Sequence, residues 1–312
     1  MTTVDIASTR AAVAVKAPRR RPKLVETWWR HAVGVVACLV SLFPVWFVAS
    51  AALNRDQSVS GTSYLPTHFT LRNFGQLLHG HVTDQSSGST VDAPFLRWLG
   101  NTLIVAIIAA ICTVMIAALA AYAFSRFRFK GRRMGMLALL LIQMFPALLT
   151  IVAIYLIVLH VGGIFPAFGF NSLAALTLVY LGGAMGVNTW LMKGFFDTIP
   201  KELDESARVD GATAAQIFWG VVLPLALPIL AVIGLWSFIF TLNEFAIASA
   251  ILQTTHHFTL PLGMQGFINA NYGQRWGPFA AGALIAAVPA TLLFAWLQRY
   301  IVSGLSQGAV KG

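Results

Sequence analysis

Six apolar runs punctuate the chain, at about 31–53, 102–124, 135–159, 172–192, 225–249 and 279–298. Each is close to the ~20 residues a helix needs to cross a hydrocarbon core. A lone segment in lipid must satisfy its own backbone hydrogen bonds, so each run is predicted to be a helix. Pro44, Pro146, Gly182, Gly183, Pro228, Gly234 and Pro289 lie inside these runs. Membrane helices tolerate such residues better than soluble ones do. The first run has a second reading as a signal peptide, because basic residues precede it and Ala49-Ser50-Ala51 lies near its end. At 31–53 it exceeds the usual apolar region of such a peptide, which favours an uncleaved first span.

The polar connectors orient the spans. Lys and Arg number 7 before the first run, 5 between the second and third (Arg126, Arg128, Lys130, Arg132, Arg133) and 3 between the fourth and fifth (Lys193, Lys201, Arg208). Arg299 and Lys311 bring that side to 17, against 4 on the other (Arg55, Arg72, Arg97, Arg275). Positive residues stay in the cytosol, so both termini are expected there.

Composition agrees with a lipid environment. The 312 residues are 57% apolar and 10% charged, with mean hydropathy +0.74, where a soluble domain carries about 25% charged residues. The net charge of +10 does not point to nucleic acid, because the basic residues flank apolar runs and form no aromatic-interleaved patch. Cys38 and Cys112 sit within apolar runs and read as packed thiols.

The chain divides accordingly. Residues 1–30 form a basic cytosolic arm, expected to be disordered. Residues 31–94 hold the first span and a long external loop with a loose Gln85–Thr90 tract, 95–300 a core of five helices, and 301–312 a cytosolic tail. The cytosolic loop 193–220 carries 5 of the 11 acids: Asp197, Glu202, Asp204, Glu205 and Asp210.

Residues 197–224 carry the most specific pattern. Pro200 stands where a first helix can begin. Gly211 can take the left-handed conformation that stops it. Thr213 and Gln216 have capping-box spacing for a second helix. A helix–Gly–helix element at the membrane surface suits docking into a groove on a partner; the plainer alternative is a solvated connector.

Glu205-Ser206-Ala207, then Gly211, then Val221-Val222-Leu223-Pro224 resembles the EAA loop of binding-protein-dependent ABC import permeases. Ser206 replaces an Ala and Val221 an Ile of the family pattern. The resemblance implies that Glu205, Ser206, Ala207, Asp210, Gly211, Leu223 and Pro224 couple the spans to a cytosolic ATPase. Leu181-Gly182-Gly183, Lys193-Gly194-Phe195-Phe196, the run from Pro228 to Val232, and the ending from Gly304 to Gly312 are similar to the smaller permease subunit of maltose/maltodextrin importers. The likeness covers about 95–312 and, in less detail, the first span and outer loop.

The fold it implies is all-α, a type I ABC importer permease of six transmembrane helices in a bacterial cell membrane. It also implies a heterodimer with a second permease, two cytosolic ATPase subunits that bind ATP and Mg, and an extracytoplasmic sugar-binding protein. The outer loop 253–277, with Gly263, Gly266, Asn269, Asn271, Tyr272, Gly273 and Trp276, would reach toward that binding protein.

The chain holds no G-x-x-x-x-G-K-[ST] phosphate loop, so ATP hydrolysis belongs to other subunits, and no cofactor is expected here. His79, His81, His256 and His257 lack a neighbouring carboxylate or Cys cluster in sequence and read as loop histidines. Glu244 is the one acid inside an apolar run, beside Asn243. Trp236, Phe240 and Glu244 recur at four-residue spacing, which predicts one shared helix face. Aromatic planes beside hydrogen-bonding groups suit a sugar path. A bond between spans is the other reading of Glu244, and the stronger one for Gln143 and Asn188.

Sugar import of the maltodextrin type is thus expected. Trehalose, another oligosaccharide or a glycerol phosphate is the alternative cargo. A secondary transporter would show inverted repeats and several intramembrane charges; a membrane sensor or scaffold would not require the loop.

Overall fold

The computed structural model describes residues 24–54, 68–83, 88, 90–183, 185–268 and 275–308. Most of the basic arm, most of the loose outer tract, residues 269–274 and the last four residues therefore lie outside the described residues. Residues 1–46 and 47–312 form two units.

Helix α1 (Leu24–Leu53) begins within the stretch expected to be a disordered arm. A short helix α2 (Arg72–His79) and an antiparallel ribbon of His81–Thr83 against Thr90–Asp92 follow. The ribbon had no sequence signal strong enough to predict it. Next come α3 (Phe95–Arg126), α4 (Arg132–Gln143), α5 (Ala147–Ile164), α6 (Leu173–Gly182) and α7 (Gly186–Phe196). The loop at 197–224 holds α8 (Lys201–Val209), α9 (Ala214–Ile217) and α10 (Leu223–Leu225). The chain ends with α11 (Leu227–Asn243), α12 (Ala246–Ile251), α13 (Leu260–Ile268) and α14 (Trp276–Gly308), which runs on into the expected tail.

Among the described residues, three helices are each long and apolar enough to cross a membrane: the α1 stretch Trp28–Leu53, α3, and the α14 stretch Trp276–Ile301. Three further apolar segments are bent pairs, each one span if its two helices are counted together, and not the single rods expected. Between α4 and α5 the bend is 100°, between α6 and α7 54°, and between the α9–α10 segment and α11 79°. Each bend has a local cause. Pro146 restricts Phe145 before it and opens α5. Gly182 and Gly183 weaken the helix between α6 and α7. Pro224 and Pro228 flank Ala226, whose ψ of 3° leaves the helical region. The run 225–249 breaks again at Glu244, whose ψ is 125°.

Helix α3 is the hub. It packs on α6, α7 and α11, and α11 in turn packs on α14. Its buried face includes Ala106, Ala109, Ala110, Ala117, Ala118 and Ala121. Where lipid is as apolar as protein, small residues favour association by letting backbones approach. At its C-terminal end Ala117, Ala121 and Tyr122 meet Met192 and Phe196 of α7, and Ile217, Phe218 and Val222 of the loop. At the other end Phe95 and Trp98 join Leu77, Met264, Phe267 and Ala281.

Part of the loop 253–277 is thus a packed helix, α13. In α13, a Cβ on Gly263 would lie 2.3 Å from the Trp98 ring, so only glycine fits that approach. By contrast, Leu141, Leu148 and Val152 on α4 and α5 are 65%, 73% and 68% exposed, a surface that needs an apolar neighbour.

Candidate coupling surface and intramembrane polar residues

The candidate coupling loop at 197–224 is shaped by local sequence rules. Pro200, with ψ 133°, precedes α8. Gly211, at φ +83°, ends it, as expected of the only residue type that enters that region without strain. The Thr213 side chain accepts from Gln216 N, and Gln216 Oε1 accepts from Thr213 N at 2.8 Å, completing the capping box. Pro224 has no amide hydrogen, so the turn before it cannot close in the α pattern. Phe218–Val222 widens instead into a π turn in which Leu223 N–H donates to Phe218 O.

The C-terminal end of α3 grips this loop. Tyr122 Oη donates to Ala214 O at 3.2 Å and Ser125 Oγ to Asp197 Oδ1 at 2.6 Å. Arg126 Nη2 donates to Ile199 O at 3.1 Å, and its Nε lies 2.7 Å from Asp204 Oδ2. The Arg126 and Asp204 side chains are only 2% and 4% exposed. Sequence reasoning counted both charges but did not pair them. The available signal was an acid on the inward side of α8, three positions before Ala207, matched to a basic residue closing the second span.

Asp197 also takes an ion pair from Lys193 one turn back. Burial pushes its carboxyl up, but the Lys193 and Ser125 hydrogen bonds and the Lys193 and Arg132 charges outweigh that and hold it below the ordinary value.

The outward face of the loop is free for a partner. Glu205, Ser206, Asp210, Gly211 and Pro224 are exposed, while Ala207 and Leu223 are half-buried against the cluster beneath. Glu205 enters none of the ion pairs among the described residues. Val209, beside Gly211, is 88% exposed, and Leu203 41%. A rigidly backed helix thus presents acids flanking an apolar knob, which suits a groove with a basic residue in it.

The intramembrane candidates are arranged differently from the expectation. Trp236 and Phe240 share an exposed face of α11, at 69% and 58%. Glu244 does not continue that face, because α11 stops at Asn243. Its carboxylate accepts from Ile247 N at 2.7 Å and Ala248 N at 3.1 Å, capping α12, and from Tyr180 Oη of α6 at 2.6 Å. Free amides at a helix start attract a carboxylate, which accounts for this acid inside an apolar segment.

Asn243 donates to Ile239 O one turn back and borders a cavity of about 490 Å³ with Gln265, Phe245 and Phe279. Gln143 donates to Gly183 O at 3.0 Å, joining the breaks of two bent spans. Among the histidines, His81 lies 2.9 Å from Asp92 across the ribbon, and His79 bonds Gly75 O.

The pattern of spans and loop matches known proteins. Residues 113–307 match the family described as binding-protein-dependent transport system inner membrane component. The chain is 39% identical over 274 residues to the maltose/maltodextrin transport system permease protein MalG of Escherichia coli K12, covering 87% of this chain and 91% of that one. It is 36% identical to the maltodextrin transport system permease protein MdxG of Bacillus subtilis 168, covering 88% and 92%. The galactooligosaccharide transport system permease protein GanQ of the same organism is 35% identical, with coverage of 88% and 92%. In fold, the chain is similar to a crystal structure of a bacterial ABC transporter that imports the acidic polysaccharide alginate. There the TM-score is 0.69 at 22% identity, over 90% of this chain and 98% of that one.

Proposed function

This chain belongs to the family of binding-protein-dependent transport system inner membrane components, and from that premise we propose that it forms half of the pore of an ATP-driven importer for maltodextrin-type oligosaccharides. It is a multi-pass permease subunit with a type I permease fold and no ATPase motif of its own. In this reading it pairs with a second permease and with two cytosolic ATPases that bind ATP and Mg. An extracytoplasmic binding protein delivers the sugar.

The observation that carries the reading is the loop from Lys201 to Pro224, capped at both helices, fastened to α3 by a buried ion pair, and exposed at Glu205, Val209 and Gly211. ATP-driven closure of the ATPases would displace α8, and the Arg126–Asp204 pair would carry that displacement into α3. Because α3 packs on α6, α7 and α11, the spans would then shift as a set between outward and inward access. Trp236, Phe240 and Asn243 are the proposed sugar-facing residues, with Glu244 holding the break beside them. An ATP-independent transporter would have no use for such a loop.

Cargo is the finer part of the proposal. The named relatives handle maltodextrin, maltose or galactooligosaccharides, and the structural neighbour handles alginate. The neutral maltodextrin class is favoured because two of the relatives reported above, in two organisms, carry that cargo in their names.

The test is uptake into proteoliposomes holding the assembled complex and its binding protein, with labelled maltodextrin, galactooligosaccharide and alginate oligosaccharide. Maltodextrin should enter only with ATP. Gly211→Pro should abolish uptake while the chain stays in the membrane, and Glu205→Ala should weaken retention of the ATPase. Normal uptake in both variants would remove the coupling assignment. Preference for another cargo would overturn only the maltodextrin assignment.

A further inference from the structure

A cavity of about 700 Å³ opens between the start of α4 and the end of α7. Its rim carries Arg132, Arg133 and Lys193, and its wall includes Leu137, Leu140 and Trp190. Of the three cations, only Lys193 has an ion-pair partner among the described residues, Asp197. Three positive charges against one carboxylate leave the rim with an excess of positive charge. Arg132 and Arg133 also occupy the first turn of α4, which contains no acid and has no side-chain cap. Cations there are opposed by the helix dipole, so an anion at this point would relieve a standing repulsion.

The placement narrows the choice of anion. The basic turn lies on the cytosolic side by the distribution of Lys and Arg, at the depth where α4 enters the hydrocarbon layer. A free phosphate or nucleotide would need the cations but not the leucines. Trp190, 51% exposed, has the amphipathic ring found at membrane interfaces. A basic pocket with apolar walls between transmembrane helices, at the cytosolic leaflet, matches a lipid headgroup followed by its chains.

We propose that this cavity binds an anionic phospholipid, its phosphodiester held by Arg132, Arg133 and Lys193 and its first methylenes lying along Leu137, Leu140 and Trp190. Phosphatidylglycerol suits the site because it adds no positive charge. A phosphatidylcholine headgroup would bring a quaternary ammonium to the same cations. The lipid would wedge α4 against α7 beside Asp197, which α3 holds through Ser125, and so bear on the mounting of the coupling loop. The inference rests on the cytosolic orientation and is independent of the sugar transported.

The assembled complex, in detergent, is titrated with dioleoylphosphatidylglycerol or dioleoylphosphatidylcholine and read by native mass spectrometry. A phosphatidylglycerol adduct should be retained in preference to phosphatidylcholine. Each arginine removed should weaken it about fivefold, from the typical worth of one basic side chain near an anionic surface, and Arg132→Gln with Arg133→Gln about 25-fold. Arg132→Lys with Arg133→Lys should restore most of the binding. Leu140→Trp, which narrows the apolar wall and keeps every charge, should also lose the adduct, and it serves as the test if the glutamine variant fails to assemble. Arg299→Gln, removing a same-side cation from outside the cavity, should change nothing.

Equal retention of the two lipids, or undiminished phosphatidylglycerol preference in both the glutamine and the Leu140→Trp variants, would overturn the proposal. Full displacement of the lipid by millimolar glycerol phosphate would also overturn it, reassigning the cavity to a soluble phosphate. So would protection of Arg133 from modification only when the ATPase is present, since that would make the basic rim a protein contact.

Discussion

Arg126→Met removes one half of the ion pair between α3 and α8 and strands the other. Both side chains are almost wholly buried at 2.7 Å, so neither water nor salt screens them. Deleting one partner of such a pair costs about 3–5 kcal/mol, because the remaining carboxylate stays buried without compensation. Arg126 also holds Ile199 O, and Asp204 is the one fully buried side chain of α8, so little apolar contact secures that helix otherwise. The cost should therefore appear as local opening of the loop rather than as loss of the fold. At about 1.4 kcal/mol per tenfold, the opening equilibrium of α8 should rise by a factor between about 10² and about 4 × 10³.

Hydrogen exchange by mass spectrometry on the purified complex reads this directly in peptides spanning 201–209, with peptides of α3 as the internal control. A buried pair replaced by apolar side chains is close to neutral, so Arg126→Met combined with Asp204→Leu should restore most of the protection. The single variant should hydrolyse ATP with little sugar uptake, and the double variant should regain part of it. Parental exchange in Arg126→Met, or a double variant no better protected than the single one, would refute the reasoning.

Glu244→Ala removes three acceptor contacts and uncaps α12. Uncapping costs about 0.5–2 kcal/mol, and should lower the thermal stability of the complex; uptake per assembled complex then reports whether Glu244 also touches sugar, with an unchanged value removing it from the path. For topology, in a background of Cys38→Ser and Cys112→Ser, Thr90→Cys and Thr255→Cys should react with an impermeant thiol reagent in intact cells, and Lys130→Cys and Ala212→Cys only after permeabilisation. Labelling of Ala212→Cys from outside would reverse the orientation and exclude a cytosolic coupling helix. Asp197 has a folded pKa below its unfolded value of 3.8, so its stabilising contribution is fully present above about pH 4 and is lost as pH falls through the depressed value. Thermal midpoints of the parent and of Asp197→Asn should therefore converge as pH is lowered from 5 toward 3, and a gap that holds constant across that range would contradict the assignment.

Features that depend on neighbours along the chain were legible in the order of residues. Apolar runs of membrane-spanning length mark the spans because transfer into lipid sums over consecutive side chains. The Lys and Arg bias sets orientation for a similarly local reason. The stop at Gly211 and the Thr213–Gln216 box were legible because both are settled within a few residues of backbone. The EAA-like spacing could be read from order alone. Tertiary structure decided the rest. Hydropathy sums a segment without regard to direction, so the bends of 100°, 54° and 79° left no trace in it. The pairing of Arg126 with Asp204 depends on α3 and α8 being folded together, and burial of both charges is tolerable only once each has the other. Glu244 had the spacing to share a face with Phe240, yet it turned to cap α12 and meet Tyr180. Unsatisfied amides in an apolar surrounding demand an acceptor more strongly than helical periodicity demands continuation.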